Sequence, residues 1–146
     1  TVDTAQSIDR IIDVFPSTQQ RQMRLQLSQV IEAVLSQTLL PRIGGGRIAA
    51  FEIMLVNNVI RRLIRDEKLH EIPPSLEMGR LEGMQTLDQA LADLVKSGIV
   101  SRAEAMMKTS SPVKLTKLLQ ADQDTLTPSE AVQSVLNIAN GIFLNR

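Results

Sequence analysis

The chain has 146 residues, of which 43% are hydrophobic and 22% charged, and its sixteen basic side chains are matched by sixteen acidic ones. That size allows one domain with a sizeable core, and a net charge of zero gives no global pull toward nucleic acid or anionic lipid. There is no Cys, Trp or Tyr, which excludes disulfides, thiolate metal sites and thiol catalysis and counts against aromatic base-stacking platforms.

No apolar run approaches the roughly 20 residues that span a bilayer, and no signal-peptide pattern opens the chain. It begins with Thr and turns helix-like almost at once. The expectation is a fragment or processed piece of a cytoplasmic protein. Asp3 or Thr4 can cap a first helix whose Ile8, Ile11, Ile12 and Phe15 form one stripe, ended by Pro16. Ser17 with Gln20 reads as a capping box for a second helix. Its apolar positions are Met23, Leu27, Val30, Ile31 and Val34, with Arg21, Arg24 and Glu32 elsewhere on the cylinder. The helical period fails near residues 35–37, where the chain is expected to change to strand.

Two apolar runs, 38–43 and 48–56, flank Gly44, Gly45 and Gly46. Glycine reaches positive φ without steric cost, so these runs predict a β-hairpin, the single β signal in the sequence. Pro41 cannot donate a ladder hydrogen bond and pushes the first strand toward a sheet edge. Asn57 or Asn58 then caps a helix that turns Ile60, Leu63 and Ile64 to one face and leaves Arg61, Arg62 and Arg65 off it. Pro73, Pro74, Gly79 and Gly83 break up the next stretch, which predicts only a short turn of helix after Ser75.

Three short helices follow. The first opens at Thr86, buries Leu87, Ala90, Leu91, Leu94 and Val95, and stops at Gly98. The second opens on the capping box Ser101–Glu104, and the third on Ser111 and Pro112 with Leu115, Leu118 and Leu119 inward. Residues 120–125 read as a linker. Thr127, Pro128, Ser129 and Glu130 open a tail helix with Val132, Val135, Leu136, Ala139, Ile142 and Phe143 along one stripe, a face that must dock on something.

The candidate chemistry is sparse. The three glycines join strand to strand and no GxxxxGK[ST] occurs, so they read as a turn and not as a phosphate cradle. His70 is the only histidine and has no neighbours at metal-ligand spacing, so it reads as a surface or loop residue. Asp13, Glu32 and Glu52 are isolated acids, and Met78, Met84, Met106 and Met107 read as core filler. Arg10, Arg21, Arg24, Arg42, Arg47, Arg61, Arg62 and Arg65 crowd the first half. Arginine forks suit recognition of phosphate or carboxylate; solvated helix faces account for the same spacing equally well.

Four stretches, in order, carry a resemblance: DTAQSIDRIIDVFPSTQQRQMRLQL, LSQTLLPRIGGGRIAAFEIML, NNVIRRLIRDEKLHEI and GMQTLDQALADLVKSGIVSRAEAM. Together, over about residues 1–120, the chain resembles the C-terminal portion of the type IV pilus retraction ATPases, twitching-motility motors of the secretion ATPase superfamily. Residues 59–66, VIRRLIRD, are similar to the family's AIRNLIRE signature, with Val59 for Ala, Arg62 for Asn and Asp66 for Glu. The resemblance implies a RecA-like ATPase, preceded by a PAS-like domain and assembled as a hexamer. It places the phosphate loop, the acidic boxes and the histidine of the His box upstream of Thr1. Arg10 matches an arginine that the family holds near the nucleotide.

On this reading the fold is mainly α with one β-hairpin: the C-terminal part of a RecA-like α/β ATPase domain plus a helical subdomain. Residues 1–56 end the ATPase core, 57–120 form the subdomain, and 121–146 are linker and tail helix. The implied function is part of an ATP-driven hexameric motor that retracts pili, with ATP and Mg in the parent and neither expected on this chain alone. The site residues are Arg10, near nucleotide, and Ile60, Arg61, Leu63, Ile64 and Arg65, for motor coupling or partner contact. No catalytic or metal residue is assigned. Arg61 and Arg65 share a helix face and are expected to serve coupling and not stability. The partners are copies of the chain (a hexamer in the parent, a dimer for this piece, a strand edge and its first helices being left uncovered) and the pilus base, with no nucleic acid and no membrane insertion. The location is the cytoplasmic face of the inner membrane. The alternative is a stand-alone helical module that binds a protein partner without any ATPase.

Overall fold

A computed structural model describes residues 3–121. The residues 122–146, including the tail helix expected from Thr127 on, lie outside it. Among the described residues the architecture is seven α-helices and a single two-stranded sheet, mainly α with one β-hairpin as the periodicities predict. No helix there is long and apolar enough to cross a membrane.

Helix α1, Thr4–Asp13, is capped by Asp3, whose Oδ1 accepts from the Gln6 N–H at 2.7 Å. Ile8 and Ile12 are fully buried on its inner face, so they are not left short of cover. Ile11 lies on the flank and is exposed. Helix α2, Ser17–Val30, departs from expectation in three ways. Its N-cap is Pro16 with no side-chain cap bond, and the Gln20 amide reaches back to the Phe15 carbonyl at 3.1 Å in place of the capping box. Its buried residues are Arg24 and Ser28, while Val30 is 70% exposed. And it stops at Val30, because Ile31 is already extended at ψ 133°. Val34, expected on the helix, therefore belongs to a strand.

Strands β1, Ala33–Pro41, and β2, Arg47–Leu55, are both nine residues long. Their register is set at both ends, by Arg42 N–H to Gly46 O at 3.0 Å and Val56 N–H to Glu32 O at 2.9 Å. The first strand thus begins earlier than the apolar run suggests and ends before Ile43, whose N–H turns aside to the Ile99 carbonyl at 2.9 Å. Gly44, Gly45 and Gly46 adopt φ of 90°, 111° and 77°, the left-handed backbone that the turn needs. In this register Pro41 sits on the non-bonded phase of β1, so its missing N–H costs no rung.

Helix α3 is Asn58–Arg65 and α4 is Ile72–Met78, with one 3-10 turn, Leu69–Glu71, before α4 and another, Gly79–Glu82, after it. Pro73 and Pro74 do not break α4; they fall in its first turn, where the missing N–H groups would have no helical partner anyway. The helix consequently starts before Ser75. Helices α5, Leu87–Lys96, α6, Arg102–Lys108, and α7, Pro112–Gln120, follow. Gln120 closes α7 and does not open a linker. Ser101 and Ser111 cap α6 and α7, and Gly98 at φ 69° ends α5, donating to the Val95 carbonyl at 3.0 Å. Of the four methionines read as filler, Met84 is buried and Met106 packs on a core, whereas Met78 and Met107 are exposed.

The described residues divide into two compact units. One comprises Gln37–Phe51 with the residues from Leu87 on, around Leu40, Ala50, Leu91, Val100, Ala105 and Leu115. The other comprises the residues up to Ser36 with Glu52–Thr86, around Ile8, Ile12, Met54, Ile60, Ile64, Ile72 and Leu76. In the second unit the short bridge Ile53–Gln85 adds a contact on the far side of β2, and buried Glu52 accepts from both the backbone N–H and the hydroxyl of Thr4, each at 2.8 Å.

Candidate functional site

Helix α3 carries most of the candidate residues. Asn57 caps it, its Oδ1 accepting from the Ile60 N–H at 3.0 Å, while its amide donates to Glu82 at 3.1 Å. Ile60, Leu63 and Ile64 recur at i, i+3 and i+4 and are buried in the second unit's core. That leaves the arginines on the outer cylinder, where each meets a different fate.

Arg61 is half-buried and tied down. Its Nη1 donates to the Ser28 carbonyl at 2.6 Å and its Nη2 to Glu32 Oε1 at 3.3 Å. Ser28 stands in the last turn of α2, where carbonyls lack intrahelical partners, so Arg61 fills an orphan acceptor. Arg62 is exposed. Arg65 is half-exposed and its Nε donates to adjacent Asp66 at 2.9 Å. That hydrogen bond, more than the bare charge of Arg65, holds the Asp66 carboxyl below the ordinary aspartate range. Arg61 and Arg65 share a face but not a role.

Arg10 is exposed on α1. Its neighbour Asp9 is engaged. Arg24, 7% exposed in the middle of α2, directs Nη1 toward Asp9 Oδ1 at 3.6 Å and donates from Nη2 to Glu67 Oε1 at 3.2 Å. Glu67 follows the C-terminal end of α3 with φ 61°, the one non-glycine residue at positive φ among those described. Sequence reading missed Arg24, which sits in a polar run with nothing to mark it as inward. It also passed over Glu52, although a lone carboxylate inside the apolar run of β2 signals a buried acceptor.

An apolar groove of about 370 Å³ runs between α1 and α2, lined by Ile11, Phe15, Leu27 and Val30 among others. A more polar cleft of about 660 Å³ lies between β1 and α6, with Arg47, Glu104 and Lys108 at its walls. His70 is exposed, as its sequence context predicts, and no cluster of metal-binding side chains occurs among the described residues.

No family model matches the chain. It is 44% identical over 112 residues to the type IV pilus retraction ATPase PilT of Pseudomonas aeruginosa, a match covering 77% of this chain and 33% of that protein. It is 39% identical over 112 residues to a twitching motility protein of Neisseria gonorrhoeae, covering 76% of this chain and 30% of the relative. The structure superposes on a crystal structure of the pilus retraction motor PilT with bound ADP, with a TM-score of 0.71 at 38% identity over 80% of this chain and 32% of the other. The chain belongs to the type IV pilus retraction ATPase family. It spans about a third of the length of these relatives. Within that third, the α3 that resembles the family signature is a formed, capped helix with Ile60, Leu63 and Ile64 buried, Arg61 half-buried, and Val59, Arg62 and Arg65 exposed.

Proposed function

We propose that this chain is part of an ATP-driven motor that retracts type IV pili, and that it supplies structure and coupling while the nucleotide phosphates are held by residues outside the 146. The observation that carries the reading is α3: a signature-like helix anchored by Ile60, Leu63 and Ile64 yet presenting Arg65 outward, in a fold matched at 38% identity by a pilus retraction motor. In the whole assembly we place the chain in a hexamer at the cytoplasmic face of the inner membrane, working against the pilus base, with Mg-ATP as the fuel and Arg10 near it. The chain alone takes neither ATP nor Mg, since it has no phosphate loop whose backbone amides and lysine would hold them. For the piece by itself we propose a two-fold dimer.

The experiment is Arg65→Ala in the protein that carries this sequence. Among the described residues Arg65 pairs with its exposed neighbour Asp66, so the melting temperature should hold, exposed pairs contributing about 0–1 kcal/mol. Pilus retraction should fall. Retraction at the parental rate would overturn the assignment of this helix face to coupling.

A further inference from the structure

We propose that Arg24 is a positioning residue that couples α1 to the C-terminal end of α3, through Asp9 on one side and Glu67 on the other. Three observations within the second unit carry this. Arg24 is one of two buried residues on α2, where an apolar side chain would fill the same space without needing partners. Its partners Asp9 and Glu67 are 49% and 73% exposed, and pairs with such solvated carboxylates contribute little, so the guanidinium is poorly explained by stability alone. Next, its fork is only half closed. Nη2 is hydrogen-bonded to Glu67 at 3.2 Å, but Nη1 is buried with no hydrogen-bond partner and sits 3.6 Å from the Asp9 carboxylate, just outside bonding range. A movement of α1 by a fraction of an ångström would close that bond.

The third observation is the backbone at Glu67. Helix α3 ends by Lys68 N–H reaching back to the Leu63 carbonyl at 2.8 Å, which puts Glu67 at φ 61°, a position that favours glycine. A glutamate there carries local strain and offers its carboxylate to Arg24. The two acids do not depend on each other directly; the arginine joins them. Because Arg24 cannot improve its contact with one acid without shifting relative to the other, the position of α1 is felt at the end of α3. Read with the proposed function, on which this meaning rests, the link runs from the residue beside Arg10 to the helix that bears the signature.

The coupling itself is tested on the chain alone, without nucleotide or pilus, so its failure is distinct from failure of the motor reading. Hydrogen exchange of the Asp66 and Lys68 amides is measured with and without Asp9→Asn. We expect Asp9→Asn to change their protection by roughly threefold or more when Arg24 is present. Arg24→Lys keeps the charge but loses the two-pronged fork, and should abolish that response. Glu67→Gly serves as the second variant. It relieves the positive φ, so the melting temperature should hold or rise, yet Asp9→Asn should no longer be felt at Lys68. A response to Asp9→Asn that persists in Arg24→Lys or Glu67→Gly, or that is absent from the parent chain, overturns the proposal.

Discussion

Arg61 and Arg65 look alike in sequence, four residues apart on one helix, and the structure separates them. Arg61 donates to the end of α2 and to Glu32, so Arg61→Ala should lower stability by about 1–2 kcal/mol, at the lower end because the side chain is partly solvated. A urea titration of the chain measures it, with Arg65→Ala as the near-silent control. The expectation that both arginines are free of any stabilising duty therefore fails for Arg61. What spacing showed correctly is which residues point inward, since i, i+3, i+4 geometry alone buries Ile60, Leu63 and Ile64. What it could not show is where an arginine's long stem reaches: the acceptors of Arg61 lie 33 and 29 residues away. Arg24 was illegible for the same reason, its partners being far along the chain.

Elements were legible where a residue with a single conformational role marks their ends. The three-glycine turn, the serine caps of α6 and α7 and the stop at Gly98 all stand where the sequence puts them, and of the two asparagines offered as a cap for α3 it is Asn57 that serves. Gly98→Ala forces an L-residue to φ 69° in open space, so it should cost about 1 kcal/mol by backbone strain alone, with no clash to relieve. Thermal unfolding of the single variant checks this; no loss would mean that the α5 stop does not depend on that conformation. The α2–β1 junction was misread because no breaker marks it. Val30, Ile31 and Val34 satisfy a helical period as well as a strand, and the decision falls to pairing with β2, which a window of local sequence does not contain. The prolines of α4 misled in the opposite sense, since breakers at a first turn are permissive.

For the whole molecule, the family and the mixed α-plus-hairpin architecture were both readable from the four ordered motifs. Association was argued from an open strand edge and from helices left without cover, and the second premise fails for Ile8 and Ile12, which are fully buried. What remains is the sheet itself. With two strands among the described residues, and the one added bridge on the β2 side, the outer side of β1 is open, and Leu35 and Leu39 on it are exposed. An unpaired strand edge beside apolar side chains, on a chain of zero net charge, is a template for a second copy. Sedimentation at micromolar concentration should show a dimer, and Leu39→Lys should return it to monomer. A monomer in the parent chain would remove the argument.

The division into two units bears on how such a protein can be inherited. The chain passes from one unit to the other at 36/37, 51/52 and 86/87, and two of those crossings lie inside β1 and β2. A gene that recombines with a relative at any one breakpoint in this region therefore builds at least one core from two parents. Where the breakpoint falls between Phe51 and Leu87, chimeras succeed only if side chains such as Leu40 and Ala50 from one parent fit Leu91 and Leu115 from the other.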